Sequence, residues 1–178
     1  MRKLSKKNIR VGILGGTFDP PHMGHFYISK IALKKLKLNK LLWAVTKKNP
    51  LKKKPHLSIK TRIRLSKKIT NKEKKIFVFH FDDKIKSIDT FNLLKHIKSK
   101  QKKTKLYFLI GADNLIKFHK WNNWKRIPEL AKIVVFPREN CLFRKNKYIV
   151  SKGLKKSDLI YINSKKVNIS SSLIRKFW

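Results

Sequence analysis

The chain has 178 residues, 41% of them hydrophobic, enough to bury about two-thirds of the surface its unfolded form would expose and to build one domain over residues 1–178. It carries 47 Lys+Arg against 9 Asp+Glu, a formal net charge of +38, yet the excess is mostly lysine and runs from Lys3 to Lys176 without gathering in one tail. Arginine is the planar fork for phosphate and base recognition, so a diffuse lysine excess reads as solvated faces that attract nucleic acid nonspecifically and favour small anionic substrates at low salt.

The single cysteine, Cys141, excludes an internal disulfide. The basic start, residues 1–10, is like the n-region of a signal peptide, but the apolar run behind it is short and breaks at Gly15-Gly16. No segment approaches the roughly 20 apolar residues of a membrane span, so a cytoplasmic location is the expectation.

In chain order, residues 9–14, 41–46, 76–81, 106–110, 133–136 and 159–162 are short apolar runs rich in β-branched or aromatic side chains, and they predict buried strands. Between them Ile28, Ile31, Ala32 and Leu36, then Ile59, Ile63 and Ile69, then Ile88, Phe91, Leu94 and Ile97 recur at helical spacing and predict amphipathic crossover helices. Alternating strand and helix predicts a Rossmann-like α/β fold, a mostly parallel twisted sheet with helices on both faces. Ligands in such sheets gather beyond the carboxyl ends of the strands, which places chemistry after Leu14, Thr46, Ile110 and Phe136. Residues 47–57, with Pro50 and Pro55, and residues 139–156 read as irregular stretches, either of which could serve as a substrate lid.

Directly after the first strand the chain reads Gly15-Gly16-Thr17-Phe18-Asp19-Pro20-Pro21-His22-Met23-Gly24-His25. Two glycines permit a sharp turn and a close approach to a ligand, and the prolines stiffen the entry to the next helix. His22 and His25, three apart at a helix start, share a face where unpaired amides and the helix dipole favour an anion. No P-loop Gly-Lys-Ser/Thr and no G-x-G-x-x-G is present, which argues against a kinase or a hydride-transfer dehydrogenase. Near the other end, Ser170, Ser171 and Ser172 open a short helix with Arg175 on its next turn. Serines at a helix start cap free amides, and that is the plainest reading of the three hydroxyls.

Together the two blocks resemble the signatures of the nucleotidylyltransferase superfamily, and within it most closely the nicotinate-nucleotide adenylyltransferases. The resemblance runs from Ile9 to Arg175; its second block carries Ser172 where threonine is usual, and related enzymes continue with a further helix beyond the point where this chain ends at Trp178. It implies that His22, His25 and Arg175 are catalytic. It also implies that Gly15, Gly16, Thr17, Phe18, Asp19, Gly24, Gly111, Asp113 and the three serines complete an ATP site with them. For the acceptor, the resemblance points to Thr17, Asn49, Lys52, Ser87, Thr90, Trp121 and Arg138, although Lys86 stands where that family usually has tyrosine. A tryptophan face can stack on a pyridine ring while amides and hydroxyls meet its carboxylate.

The implied reaction is attack by the phosphate of nicotinate mononucleotide on the α-phosphorus of ATP, giving deamido-NAD and pyrophosphate, a step of NAD biosynthesis. Magnesium is expected to arrive with ATP rather than on a protein carboxylate cluster. Two alternatives stand beside this reading: an adenylyltransferase of the same superfamily using phosphopantetheine or nicotinamide mononucleotide, and a basic RNA-binding protein on the same fold. A homo-oligomer is left open.

Overall fold

Six parallel strands pair in the order β3-β2-β1-β4-β5-β6 among the residues described by the computed structural model, namely 9–100, 103–138, 153–164 and 169–177. The strands are β1 (Arg10–Gly16), β2 (Lys40–Val45), β3 (Ile76–Phe79), β4 (Lys105–Gly111), β5 (Ala131–Phe136) and β6 (Leu159–Tyr161). All six expected runs are strands. The order reverses between β1 and β4, which pair with Val11 beside Leu106 and Leu14 beside Leu109, so the crevice of this doubly wound sheet opens above that pair.

Three long helices make the crossovers: α1 (Met23–Lys35), α2 (Ile59–Thr70) and α4 (Thr90–Lys100). Three short ones were not foreseen, α3 (Asp82–Ile85), α5 (Ala112–Ile116) and α6 (Ile127–Leu130), whereas α7 (Ser171–Ile174) is the short helix expected at the three serines. Helices of four or five residues carry too few positions for a 3.6-residue period to show.

Strand alternation sorts the core into two layers. Leu14, Leu41, Trp43, Val45, Leu109 and Val134 face α1 and α2, whereas Val11, Ile13, Leu42, Ala44, Phe108 and Ile110 face Phe91, Leu94 and Ile97 of α4. The inner line of α2 departs from the apolar stripe its isoleucines suggested. Arg62, Ser66 and Thr70 are its buried residues, and Ile59, Ile63 and Ile69 are only partly buried beside them.

Residues 47–57 form turns, with Lys52 N–H donating to Asn49 O at 3.0 Å and Leu51 N–H to Asn49 Oδ1 at 2.8 Å. Most of the second irregular stretch, including Cys141, lies outside the described residues. No helix among those described is long and apolar enough to cross a membrane.

Candidate active site

The segment between β1 and α1 does not turn at its glycines. Gly15 and Gly16 are the extended last residues of β1, paired with Ala44 and Val45 of β2. The left-handed residue is Phe18, at φ 50°, and the Asp19-Pro20 peptide that follows is cis. A left-handed backbone is uncommon for a bulky aromatic residue, and packing holds it at Phe18. Here the Phe18 ring, 2% exposed, stacks on Trp43 at 4.9 Å and lies 4.8 Å from His25. A Cβ on Gly15 or Gly16 would meet Phe108 or Phe18 only at ordinary contact distances of 3.5 and 3.6 Å, so the protein's own packing does not demand glycine. Both residues line the ligand-sized cavities above the sheet, and what a side chain there would obstruct is the space itself.

Two cavities lie over the crevice. The larger, about 820 Å³, gathers every residue expected to bind ATP: the Gly15–Asp19 run, His22, Gly24, His25, Gly111, Asp113, the three serines and Arg175. The smaller, about 220 Å³, is walled by the rings of Phe81, Phe108 and Trp121 and includes Asn49, Asp82 and Thr90. They share four residues, Gly15, Gly16, Asn49 and Trp121. Groups bound in the two spaces would therefore meet above the end of β1.

The expected acceptor residues divide between these spaces. Asn49, Thr90 and Trp121 line the smaller cavity. Thr17, Lys52 and Arg138 belong to the larger one instead. Arg138 sits there because β5 delivers it beside α5: its Nε is 3.7 Å from Asp113 Oδ1, and its Nη1 donates to Ile169 O at 3.0 Å. Gly111 makes room for that pair, since a Cβ would come within 2.3 Å of Asp113 Oδ1 and 3.3 Å of Arg138 Nε. Ser87 lines neither cavity. Its hydroxyl accepts from Asp89 N–H at 3.1 Å and Asn92 Nδ2 at 3.0 Å, which makes it a brace for the start of α4. The Trp121 amide is also engaged, donating to Phe118 O at 3.0 Å, and its ring packs on Phe118 at 5.1 Å and edge-on to Phe108 at 6.0 Å. Trp121 is at once a core anchor and a cavity wall.

His22 and His25 stand 3.8 Å apart, centroid to centroid, at the start of α1. His22 N–H donates to His25 Nδ1 at 3.3 Å, so a neutral His25 ring carries its proton on Nε2. The backbone beneath is fixed in turn: Trp43 Nε1 donates to Ser29 Oγ at 2.9 Å, and that hydroxyl to His25 O at 2.7 Å. Burial, reinforced by Arg138, lowers the His22 pKa to about 4. Burial, then His22, Arg138 and Lys52, holds His25 well below its ordinary value. Both rings are neutral near pH 7 in the free protein, and the surrounding cations leave the cleft set for an anion.

That arrangement fixes a pH dependence of stability. Between about pH 6.5 and 4 the unfolded chain protonates at His22 while the folded chain does not, so stability falls as pH falls through that window. For His22 alone the full loss is about 3 kcal/mol. The urea midpoint is expected to drop more steeply between about pH 7 and pH 4.5 in the parent than in His22→Asn. Parallel curves for the two proteins would show that this ring contributes no such term.

The carboxyl-terminal block folds down onto the first. Ser170 Oγ caps α7 by accepting Leu173 N–H at 3.1 Å, and Ser171 Oγ donates to Pro20 O at 2.8 Å. Arg175 donates from Nη1 to Asp19 O, pairs with Asp19 Oδ2 at 3.6 Å, and donates from Nη2 to Ser172 Oγ at 3.3 Å. Asp19 is buried, and its two oxygens accept the Leu57 and His56 amides at 2.9 Å each. It thereby ties the end of the 47–57 loop to the first segment. Asp19 is thus engaged by two amides and Arg175, and Asp113 by Arg138.

Arg62 was not foreseen in the sequence. It is 2% exposed and its four hydrogen bonds all reach main-chain carbonyls: Leu57 O at 3.0 Å, Thr17 O at 2.5 Å, Thr46 O at 2.7 Å and Lys47 O at 3.1 Å. One guanidinium thus joins the ends of the three segments that wall the cavities. Within a helix carrying three lysines and a second arginine, nothing local distinguishes it; its place among Ile59, Ile63 and Ser66 on the inner face was the available signal.

Residues 13–177 match the model of the cytidylyltransferase-like family. A protein of Pelagibacter ubique (strain HTCC1062) named probable nicotinate-nucleotide adenylyltransferase is 45% identical over 97% of this chain and 96% of its own length. One of the same name from Ruegeria sp. (strain TM1040) is 38% identical over 72% of this chain and 67% of its own. The Plasmodium falciparum nicotinic acid mononucleotide adenylyltransferase complexed with NaAD shares the fold at a TM-score of 0.76, with 22% identity over 95% of this chain and 83% of that one. By its family model and its full-length kinship with the Pelagibacter protein, the chain belongs to the cytidylyltransferase-like family and, within it, to the nicotinate-nucleotide adenylyltransferases.

Proposed function

We propose that the chain transfers the adenylyl group of ATP to nicotinate mononucleotide, releasing pyrophosphate and forming deamido-NAD. The observation that carries this reading is the pair of cavities meeting at Gly15, Gly16, Asn49 and Trp121. The larger holds ATP, with its phosphates toward His22, His25, Arg138 and Arg175. The smaller holds the pyridine nucleotide against Phe81, Phe108 and Trp121. Its floor includes Ile88, Asp89 and Thr90 at the amino end of α4, an eleven-residue helix whose first amides have no partner within the helix. Those amides, not the occupied amide of Trp121, suit the nicotinate carboxylate.

Catalysis on this reading is alignment and charge neutralisation. The attacking phosphate oxygen is already ionised, so the P–O bond to the α-phosphorus forms as the bond to pyrophosphate breaks, with no side-chain nucleophile. His25 Nε2–H donates toward the departing oxygens, and Arg175 and Arg138 offset the charge that accumulates there. Magnesium enters with the phosphates, and no protein carboxylate is assigned to it. Such chemistry suits a cytoplasmic enzyme.

Initial rates of pyrophosphate release with ATP and each acceptor test the assignment. Nicotinate mononucleotide is expected to exceed its amide analogue in kcat/KM by about tenfold or more, because a hydrogen bond to a charged group contributes about 1.5–3 kcal/mol. Equal rates would remove the carboxylate-reading role from α4, and faster release with phosphopantetheine would overturn the acceptor.

A further inference from the structure

The β3 edge of the sheet has two unequal faces. Ile76 and Val78 pack in the layer beneath α1 and α2. Phe77 and Phe79 point to the opposite face and are 43% and 44% exposed. That face was expected to be covered. It is open because Phe91, Leu94 and Ile97 of α4 pack on Val11, Ile13, Leu42 and Phe108, nearer the sheet's centre, and leave its β3 border bare.

The register sets Phe77 beside Leu42 and Phe79 beside Ala44; the same alternation brings Lys40, the first residue of β2, to this face, and the exposed Lys75 sits in the turn that enters β3. The aromatic row continues beyond the strand. Phe79 lies 5.6 Å from Phe81, and Phe81 lies 6.2 Å from His96 of α4. Lys100, one turn past His96, shares that side of the helix. Grouped, exposed rings of this kind mark an interaction surface, and here lysines border them.

We infer that this border of the sheet is a platform for single-stranded RNA, on which Phe77 and Phe79 stack with unpaired bases while Lys40, Lys75 and Lys100 meet the phosphates. The charge selects the class of partner. A second copy would set +38 against +38 and face these lysines with their own counterparts, whereas a polyanion complements them. Stacking requires unpaired bases, which RNA presents in loops and ends and a duplex does not. Sequence-tolerant binding needs no arginine fork, since every base offers a face to an aromatic ring. The surface is separate from transfer chemistry because neither Phe77 nor Phe79 lines a cavity, although their neighbour Phe81 also walls the acceptor space.

Fluorescence anisotropy with a labelled oligouridylate of about 12 nucleotides, at about 0.1 M salt, tests the platform in the full chain. The parent is expected to bind it, and the double variant F77S/F79S to bind at least about tenfold more weakly. Inorganic polyphosphate, which has charge and no bases, should bind both proteins alike, and adenylyl transfer should be unchanged in the single variant F77S, whose ring lines neither cavity. Three results would overturn the proposal: no binding of oligouridylate by the parent, equal loss of oligouridylate and polyphosphate, or no loss of either. A parent dimer by sedimentation that the double variant abolishes would also overturn it, because the face would then be covered by a second copy.

Discussion

His25→Ala is expected to fold and to lose about 10²–10³ in turnover, the usual consequence of removing one well-placed donor to a charge-accumulating centre. The geometry makes the expectation specific to one atom. His25 Nδ1 already accepts the His22 amide, so Nε2–H is the donor left to face the cleft. The two functions of the ring can be parted. Alanine removes both the amide acceptor and the donor, and loss of the acceptor at the helix start should cost about 1 kcal/mol of stability. Asparagine keeps an acceptor near the Nδ1 position and still lacks the distal N–H. His25→Asn should therefore regain the stability and not the rate. A loss confined to KM would mean equal stabilisation of ground and transition states. If either variant, folded, kept turnover within about threefold of the parent, the donor role would be wrong.

The six strands were legible because each is a short run of β-branched or aromatic residues whose neighbours in a parallel sheet are equally apolar. The first and last motifs were legible because loops at strand ends carry chemistry in consecutive residues. Three features were not, each because its cause lies far away in the chain. The left-handed residue at Phe18 depends on Trp43 and His25 closing over its ring, which no local rule that assigns turns to glycine can anticipate. Arg138 follows β5 as expected, yet which cavity it enters is decided by Asp113 and Ile169. The open side of β3 depends on where α4 comes to rest, and an alternating strand at the sheet's edge has the same composition whether or not a helix covers it.

Arg62→Met is expected to destabilise the protein by about 3 kcal/mol or more. The side chain keeps its length and loses the five N–H donors, leaving the carbonyls of Leu57, Thr17, Thr46 and Lys47 to find other partners; an orphaned buried acceptor costs about 1–3 kcal/mol, and water can recover those nearest the surface. For a chain of this size that corresponds to roughly 6–12 °C in melting temperature. Burial lowers the Arg62 pKa, and Asp19 and Asp82 act in the opposite sense, so the charge is held by their field and by four carbonyl dipoles. Arg62→Lys separates charge from geometry. An ammonium restores the positive charge but cannot present a planar fork to three segments at once, so lysine should fall between arginine and methionine in stability. Activity adds a readout that mere loss of stability would not move. Thr17, just past β1, lines the ATP space, and Thr46, just past β2, lines the acceptor space. In folded Arg62→Lys, measured well below its melting temperature, kcat should therefore fall further than either KM rises, because substrates would still bind while their alignment is lost. A lysine variant with the parent's melting temperature and kcat would show that charge alone suffices, and that Arg62 does not set the two loops relative to each other.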